Sequence, residues 1–164
     1  FDFLYHNTGT SIETTLPEAP HKLGDNPGYA YLENVKSFDA GEKNVAHVNI
    51  HGEKVDTHVT LNARPGDEFF TATGPVKSIT ERAPMLVLRR KGTSVKGVTV
   101  IEPTEKGKPS AIEKLEMGAA EAPEIVIKRT GAIDSLPISD ISEKKIAFQT
   151  TPAGGKMQVV LRGK

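Results

Sequence analysis

Short runs of alternating apolar and polar residues, separated by glycine, proline, asparagine and aspartate, set the rhythm of this chain. The dominant period is two, the spacing at which successive side chains fall on opposite faces of a strand, not the 3.6 of an amphipathic helix. The pattern predicts strands over residues 1–7, 11–15, 31–38, 44–51, 55–62, 67–73, 84–90, 95–102, 112–117, 124–129, 145–151 and 156–162. About a dozen short strands with frequent turn signals predict an all-β fold, an antiparallel β-sandwich. Residues 111–120 (AIEKLEMGAA) come closest to a helix. Gly118 and the flanking Pro109 and Pro123 limit it to a few turns.

Two hairpins can be placed. The first joins 44–51 to 55–62. Ala46, Val48 and Ile50 make one apolar face, and Val55, Thr57, Val59 and Leu61 make the matching one. Partners in an antiparallel ladder share a face, so an even position must meet an odd one. A two-residue turn at Gly52-Glu53 satisfies this by pairing Ile50 with Val55 and Val48 with Thr57. The second hairpin joins 145–151 to 156–162 across Pro152-Ala153-Gly154-Gly155, whose glycines supply positive φ. Met85-Leu86-Val87-Leu88 is apolar on both faces and predicts a central strand covered on both sides.

Two stretches break the rhythm. Residues 16–30 (LPEAPHKLGDNPGYA) hold three prolines and two glycines and predict a long connection packed by Leu16, Leu23 and Tyr29. Residues 103–110 (PTEKGKPS) read as a solvated hairpin tip. The 164 residues suit one domain with a sizeable core. The start in mid-pattern at Phe1-Asp2-Phe3-Leu4-Tyr5, without Met, leads us to expect the C-terminal part of a larger protein, with 1–164 as a single β-sandwich domain.

Composition narrows the chemistry. Lys plus Arg balance Asp plus Glu, 21 against 21, which argues against a general binder of nucleic acid or anionic membrane. The absence of cysteine excludes disulfides, thiolate nucleophiles and Cys-ligated zinc from this chain. No apolar run approaches ~18 residues, the length of a spanning helix.

Three constellations are candidates for function. The densest basic cluster is Arg89-Arg90-Lys91, with Lys96 across a turn and Arg82 nearby. Arginine forks match the carboxylates or sulfates of an acidic glycan, so Arg89, Arg90 and Lys91 are the candidate substrate-binding residues, set against the plainer reading of a solvated strand end. The second constellation follows from the predicted hairpin register, which sets His47 opposite His58 and Asn49 opposite Asp56, with His51 farther along the same face. Two imidazoles and a carboxylate are zinc-ligand types, though the polar face of a sheet has the same composition. The third is Tyr5-His6, the acid and base types of many sugar eliminations. Neighbours on a strand point to opposite faces and cannot reach one substrate atom together, so Tyr5 reads as core and His6 as exposed. No Ser-His-Asp spacing, phosphate loop or carboxylate pair stands out, and no catalytic residue is assigned.

Two stretches, FDFLYHNTGT at residues 1–10 and GDEFFTATGPVKSITERAPMLVLRRKGTSVKGVTVIEP at residues 66–103, resemble the C-terminal β-sandwich region of heparinase II/III-like polysaccharide lyases, a group that includes exo-type alginate and oligoalginate lyases. Phe1-Asp2-Phe3 fits the second half of that family's (His)-x-[Phe/Tyr]-Asp-[Phe/Tyr/Trp] segment. Leu88-Arg89-Arg90 and Val98-Thr99-Val100-Ile101-Glu102-Pro103 fit a later strand ending in paired arginine, followed by a turn and a Val-Thr-Val-like strand. The resemblance covers about the first two-thirds of the chain.

It implies a periplasmic or secreted protein whose upstream α/α-toroid carries an Asn-His pair and a Tyr, followed by a β-domain with a further His and a structural metal. Such lyases cleave uronic-acid glycans by taking the C5 proton and expelling the C4 oxygen. The family's His-x-His-x-Asp motif does not occur here, so the resemblance assigns this chain no catalytic residue and no cofactor. Its implied partners are the upstream catalytic domain and an acidic polysaccharide, without nucleic acid or membrane. Two other readings stay open: a carbohydrate-binding module for acidic glycans, and a structural or adhesin-like β-domain. A sugar-stacking module usually presents an aromatic platform, and this chain has no Trp and three Tyr.

Overall fold

A computed structural model describes residues 1–118, 124–137, 145–155 and 158–163, with the backbone alone for 145–148 and 158–163. The described chain is all-β apart from one 3₁₀ turn, Pro27–Tyr31. Its strands are β1 (Asp2–His6), β2 (Ser11–Thr14), β3 (Glu33–Asp39), β4 (Val45–His51), β5 (Val55–Asn62), β6 (Glu68–Pro75), β7 (Arg82–Arg89), β8 (Thr99–Glu105), β9 (Ile112–Met117), β10 (Glu124–Arg129), β11 (Ala132–Pro137), β12 (Lys145–Pro152) and β13 (Gln158–Gly163). The sequence reading took 1–164 as one domain, whereas the chain divides into two compact units, Phe1–Pro109 and Ser110–Lys164.

The first unit is a sandwich of two four-stranded antiparallel sheets, ordered β1-β7-β6-β3 and β2-β4-β5-β8. Its main core lies between them. Phe69, Leu86 and Leu88 from the first sheet meet Val48, Ile50, Val59 and Leu61 from the second, with Leu16 entering from the loop after β2. The two-sided strand is where its pattern predicts. β7 lies between β1 and β6, sending Leu86 and Leu88 into the main core and Met85 and Val87 to the other face. On that face Phe70, Met85 and Val87 are covered by Leu23, Tyr29 and Leu32 of the long 16–32 connection. A bridge between Glu18 and Phe38 and the bond from Ala19 N–H to the Ser37 carbonyl tie this connection to β3. The predicted packing by Leu16, Leu23 and Tyr29 is thus observed, divided between two clusters.

The first hairpin has the predicted faces but a register two residues away. Ile50 pairs with Thr57 and Val48 with Val59, so His47 lies opposite Thr60 and Asn49 opposite His58. The expected His47–His58 and Asn49–Asp56 pairs are therefore not formed. The β4–β5 pairs end at Ile50 and Thr57, so the turn is longer than Gly52-Glu53, and Asp56, still paired with Thr104 of β8, accepts the Gly52 N–H on its carboxylate at 3.3 Å. The supposed hairpin tip at 103–110 is also corrected. β8 runs through Pro103 to Glu105, and only Lys106–Lys108 turn. Pro103 is tolerated because β8 is the outer strand of its sheet, where a missing N–H breaks no ladder on the free side.

The second unit is a five-stranded antiparallel meander, β13-β12-β11-β10-β9. β11 was absent from the predicted strands. Its central Asp134 is buried and takes the Arg129 guanidinium at 2.7 Å and the Thr150 hydroxyl at 2.8 Å, so a carboxylate stands where the pattern asks for an apolar residue. The helix-like stretch 111–120 holds strand β9; its residues 119 and 120 lie outside the described residues. In the turn from β12 to β13, Gly154 takes positive φ (72°) and Gly155 does not.

Candidate functional site

The basic cluster is built by a short turn and a strand end. Arg64-Pro65-Gly66-Asp67 closes with the Asp67 N–H on the Arg64 carbonyl at 3.1 Å, and Gly66 has φ of 84°. Proline followed by a positive-φ glycine is the chemistry of a type II turn. Asp67 Oδ2 caps the turn by accepting the Arg64 N–H at 2.9 Å, which holds the carboxylate beneath Arg90. Arg90 donates Nε to Asp67 Oδ1 at 2.8 Å and Nη2 to Oδ2 at 2.5 Å. Its remaining donors reach the Asn62 carbonyl at 2.9 Å and the Lys96 carbonyl. Both side chains of this pair are 3% exposed.

Arg89 is engaged on the other side of the strand. β1 and β6 flank β7 in register, so Asp2, Arg89 and Glu68 form one row across three strands. The Arg89 fork meets Asp2 in two parallel bonds of 2.9 Å and also donates to the Leu23 carbonyl at 2.7 Å and the Tyr29 hydroxyl at 3.2 Å. The guanidinium stands 5.6 Å from the Tyr29 ring centre and 5.3 Å from that of Phe70. Hydrogen bonding to Asp2 holds its proton above the ordinary arginine value. Lys91 is 77% exposed and meets Glu68 Oε1 at 2.8 Å.

The three candidate substrate-binding residues therefore do not converge. Arg89 and Arg90 point to opposite faces, as neighbours near a strand must, and each fork is occupied by a carboxylate of this chain. Lys91 is the one whose ammonium faces solvent. Lys96 joins the cluster through its carbonyl, and Arg82 is drawn away to Glu33 at 2.6 Å.

The outer face of the second sheet carries the histidines. His51 lies between two carboxylates, with Nε2 2.9 Å from Glu13 Oε1 and Nδ1 3.3 Å from Asp56 Oδ1. Asp56 is buried and binds two turns at once, through the Gly107 N–H at 2.9 Å and the Gly52 N–H. The Gly107 bond, aided by Gly52 and His51, holds its carboxyl below the usual carboxylate range. His58 Nε2 lies 3.0 Å from the Lys108 carbonyl and 3.1 Å from the Thr104 hydroxyl. His47 is pushed below the ordinary histidine value, first by burial and then by the nearby His58 and Lys43. Among the described residues, no three His, Asp or Glu side chains are grouped to hold a metal ion. Tyr5 packs on the main core and its hydroxyl bonds Thr99, while His6 is exposed, as alternation predicts.

These shifts fix the sign of a pH effect. Unfolding lets His47 take up a proton near its ordinary value of 6.5, which the folded chain resists until lower pH. Stability is therefore full above that value and falls as pH drops through it, levelling below the folded value. Asp56 adds a second loss as pH falls below its ordinary 3.8 toward its folded value. The urea midpoint should decline between about pH 7.5 and 5.5, and His47→Gln should flatten that segment. A midpoint in wild type that rises on acidification through this window contradicts the assignment.

Two surface concavities lie on the first unit. A groove of about 380 Å³ on the outer face of the first sheet is lined by Leu4, Tyr29, Tyr31, Leu32, Ile79 and Met85. Leu4 and Tyr31 are each 55% exposed and Ile79 67%. A second cleft, of about 510 Å³, opens between the β1–β2 turn and the β4–β5 turn. Pattern reading missed both, because each joins loop residues distant in sequence. No helix among the described residues is long and apolar enough to cross a membrane. Comparison with family models and with curated proteins returns no match for this chain.

Proposed function

We propose that this chain is the C-terminal accessory β-sandwich region of a polysaccharide lyase that cleaves uronic-acid glycans by β-elimination, with catalysis carried by an upstream part. The supporting observation is the double internal engagement of Arg89 and Arg90. The paired arginine that carries the lyase resemblance joins strand β1, the turn at Asp67 and the 16–32 connection into one framework. That is the work of a scaffold. The groove around Leu4, Tyr31 and Ile79 supplies the apolar surface on which such a scaffold packs against its catalytic neighbour.

Substituting the rim tests the packing. Ile79→Asp is expected to leave the thermal midpoint of this chain within a degree or two, since surface changes cost within about 0.5 kcal/mol. In the upstream-extended protein the same change buries a charge, and the midpoint should fall by several times as much. Equal shifts in the two proteins contradict the packing.

A further inference from the structure

The sandwich of the first unit has its outer strands at β1, β3, β2 and β8, and all but β1 are closed to further pairing. β2 is only four residues long. β3 carries a register shift between Glu33 and Lys36, with Asn34 at a φ of 54°, and the Glu18–Phe38 bridge covers its far end. Pro103 takes a donor out of the edge of β8. These are the devices by which a sheet blunts an edge. β1 has no proline, no register shift and no covering strand among the described residues.

The direction of its free groups follows from its ladder. Phe1 and Arg90 exchange both main-chain bonds, at 3.0 and 2.9 Å. Bonded pairs recur at every second residue of an antiparallel ladder, so Phe3 and Tyr5 also bond β7. Asp2, Leu4 and His6 therefore turn their N–H and C=O groups to the open side. Their side chains share the outer face of the sheet. There Leu4 is 55% exposed and His6 is exposed, while Asp2 holds the Arg89 fork with one bond to each oxygen. An ionised carboxylate has about four acceptor positions, so Asp2 keeps capacity for another donor, and an imidazole has a ring N–H to give in either charge state. The order carboxylate, leucine, imidazole is its own complement when reversed. Two copies of β1, antiparallel about a two-fold axis at Leu4, set each Asp2 opposite the partner's His6 and leucine against leucine. In that register every free N–H and C=O of the three residues finds a partner.

We propose that the open edge of β1 is a self-association surface, at which a second copy of this chain adds its own β1 and joins the two four-stranded sheets into one. The proposal goes beyond the lyase reading and does not rest on it. Pairing takes the main chain of β1 with Leu4 and leaves the Tyr31 and Ile79 end of the groove to the packing described above. Five residues a side fall short of the about 1,000 Å² of a stable interface, so the dimer is weak, with a dissociation constant on the order of 0.1 mM. The test is sedimentation equilibrium of this chain from about 0.02 to about 1 mM, a range that brackets such a constant, with amide hydrogen exchange read residue by residue at both ends. A monomer–dimer equilibrium is expected, with slower exchange at Leu4 and His6 in the concentrated sample. Phe3 and Tyr5, already bonded to β7, are the internal reference. His6→Asp should weaken the dimer about tenfold, because symmetry turns two attractive cross-strand pairs into two repulsive ones. His6→Lys should keep it. His6 is exposed, so neither variant disturbs the fold, which the thermal midpoint of the dilute chain checks. A chain that stays monomeric through this range overturns the proposal. So does a dimer that His6→Asp leaves intact, or one in which Leu4 and His6 exchange as fast as in the monomer, since it forms elsewhere. Slow exchange at these two amides in a monomeric upstream-extended protein gives the edge to the upstream chain and overturns it as well.

Discussion

Replacing Arg90 with alanine is expected to cost about 3–5 kcal/mol, a large part of the stability of a chain this size. The loss has three sources on one side chain. Asp67 is left as a buried carboxylate without its partner, and the Asn62 and Lys96 carbonyls each lose a donor. Asp67→Asn should cost less, because the amide keeps an acceptor for the guanidinium and for the Arg64 N–H while losing the charge. The double variant Arg90→Met/Asp67→Leu should recover much of the loss, since apolar residues of similar volume often replace a buried ion pair without penalty. Lys91→Ala, one residue on, should fall within about 0.5 kcal/mol because its ammonium is solvated. Urea unfolding of the four variants reads all of this. An Arg90→Ala protein as stable as Lys91→Ala shows that the fork is dispensable to the fold, and Arg90 then returns as a ligand group.

The contrast between these adjacent residues shows what sequence reading caught and what it missed. The cluster is visible as composition, and the alternation that separates Tyr5 from His6 applies equally to Arg89 and Arg90. What the sequence concealed were the partners. Asp2 and Asp67 are 87 and 23 residues from their arginines, and strand pairing and a proline-glycine turn bring them together.

The fold was legible where burial is periodic. β7 announced itself as central because both its faces are apolar, and Phe70 and Val87 do lie under a second layer made by the 16–32 connection. The faces of β4 and β5 were also legible, because parity alone fixes them. Register was not, because parity permits shifts of two, and the choice is made by Asp56 capturing the Gly52 and Gly107 N–H groups. β11 and the end of β8 were hidden for the same kind of reason. Asp134 and Pro103 each break the pattern at a position where a tertiary partner or a free sheet edge makes the exception tolerable.

The prediction with the largest effect concerns activity and is all or none. Elimination at a uronate needs a base at the C5 proton and an acid at the departing C4 oxygen, both within hydrogen-bond reach of one sugar. In this chain Tyr5 is bound to Thr99 within the sandwich while His6 faces away, and His51 and His58 are held by groups of the sheet and its turns. No such pair converges on either concavity among the described residues. The lyase reading therefore expects no chemistry from this chain and full chemistry from a longer one. The direct measurement is ultraviolet absorbance at about 235 nm, where the new double bond absorbs, with uronic-acid polysaccharides on this chain and on the chain extended upstream by several hundred residues. Absorbance that rises only with the extended protein is the predicted result. A rise with this chain alone contradicts the account and returns Tyr5, His6 and the His47–His58 face as catalytic candidates, and no rise with either protein removes the lyase reading in favour of a binding or structural β-domain.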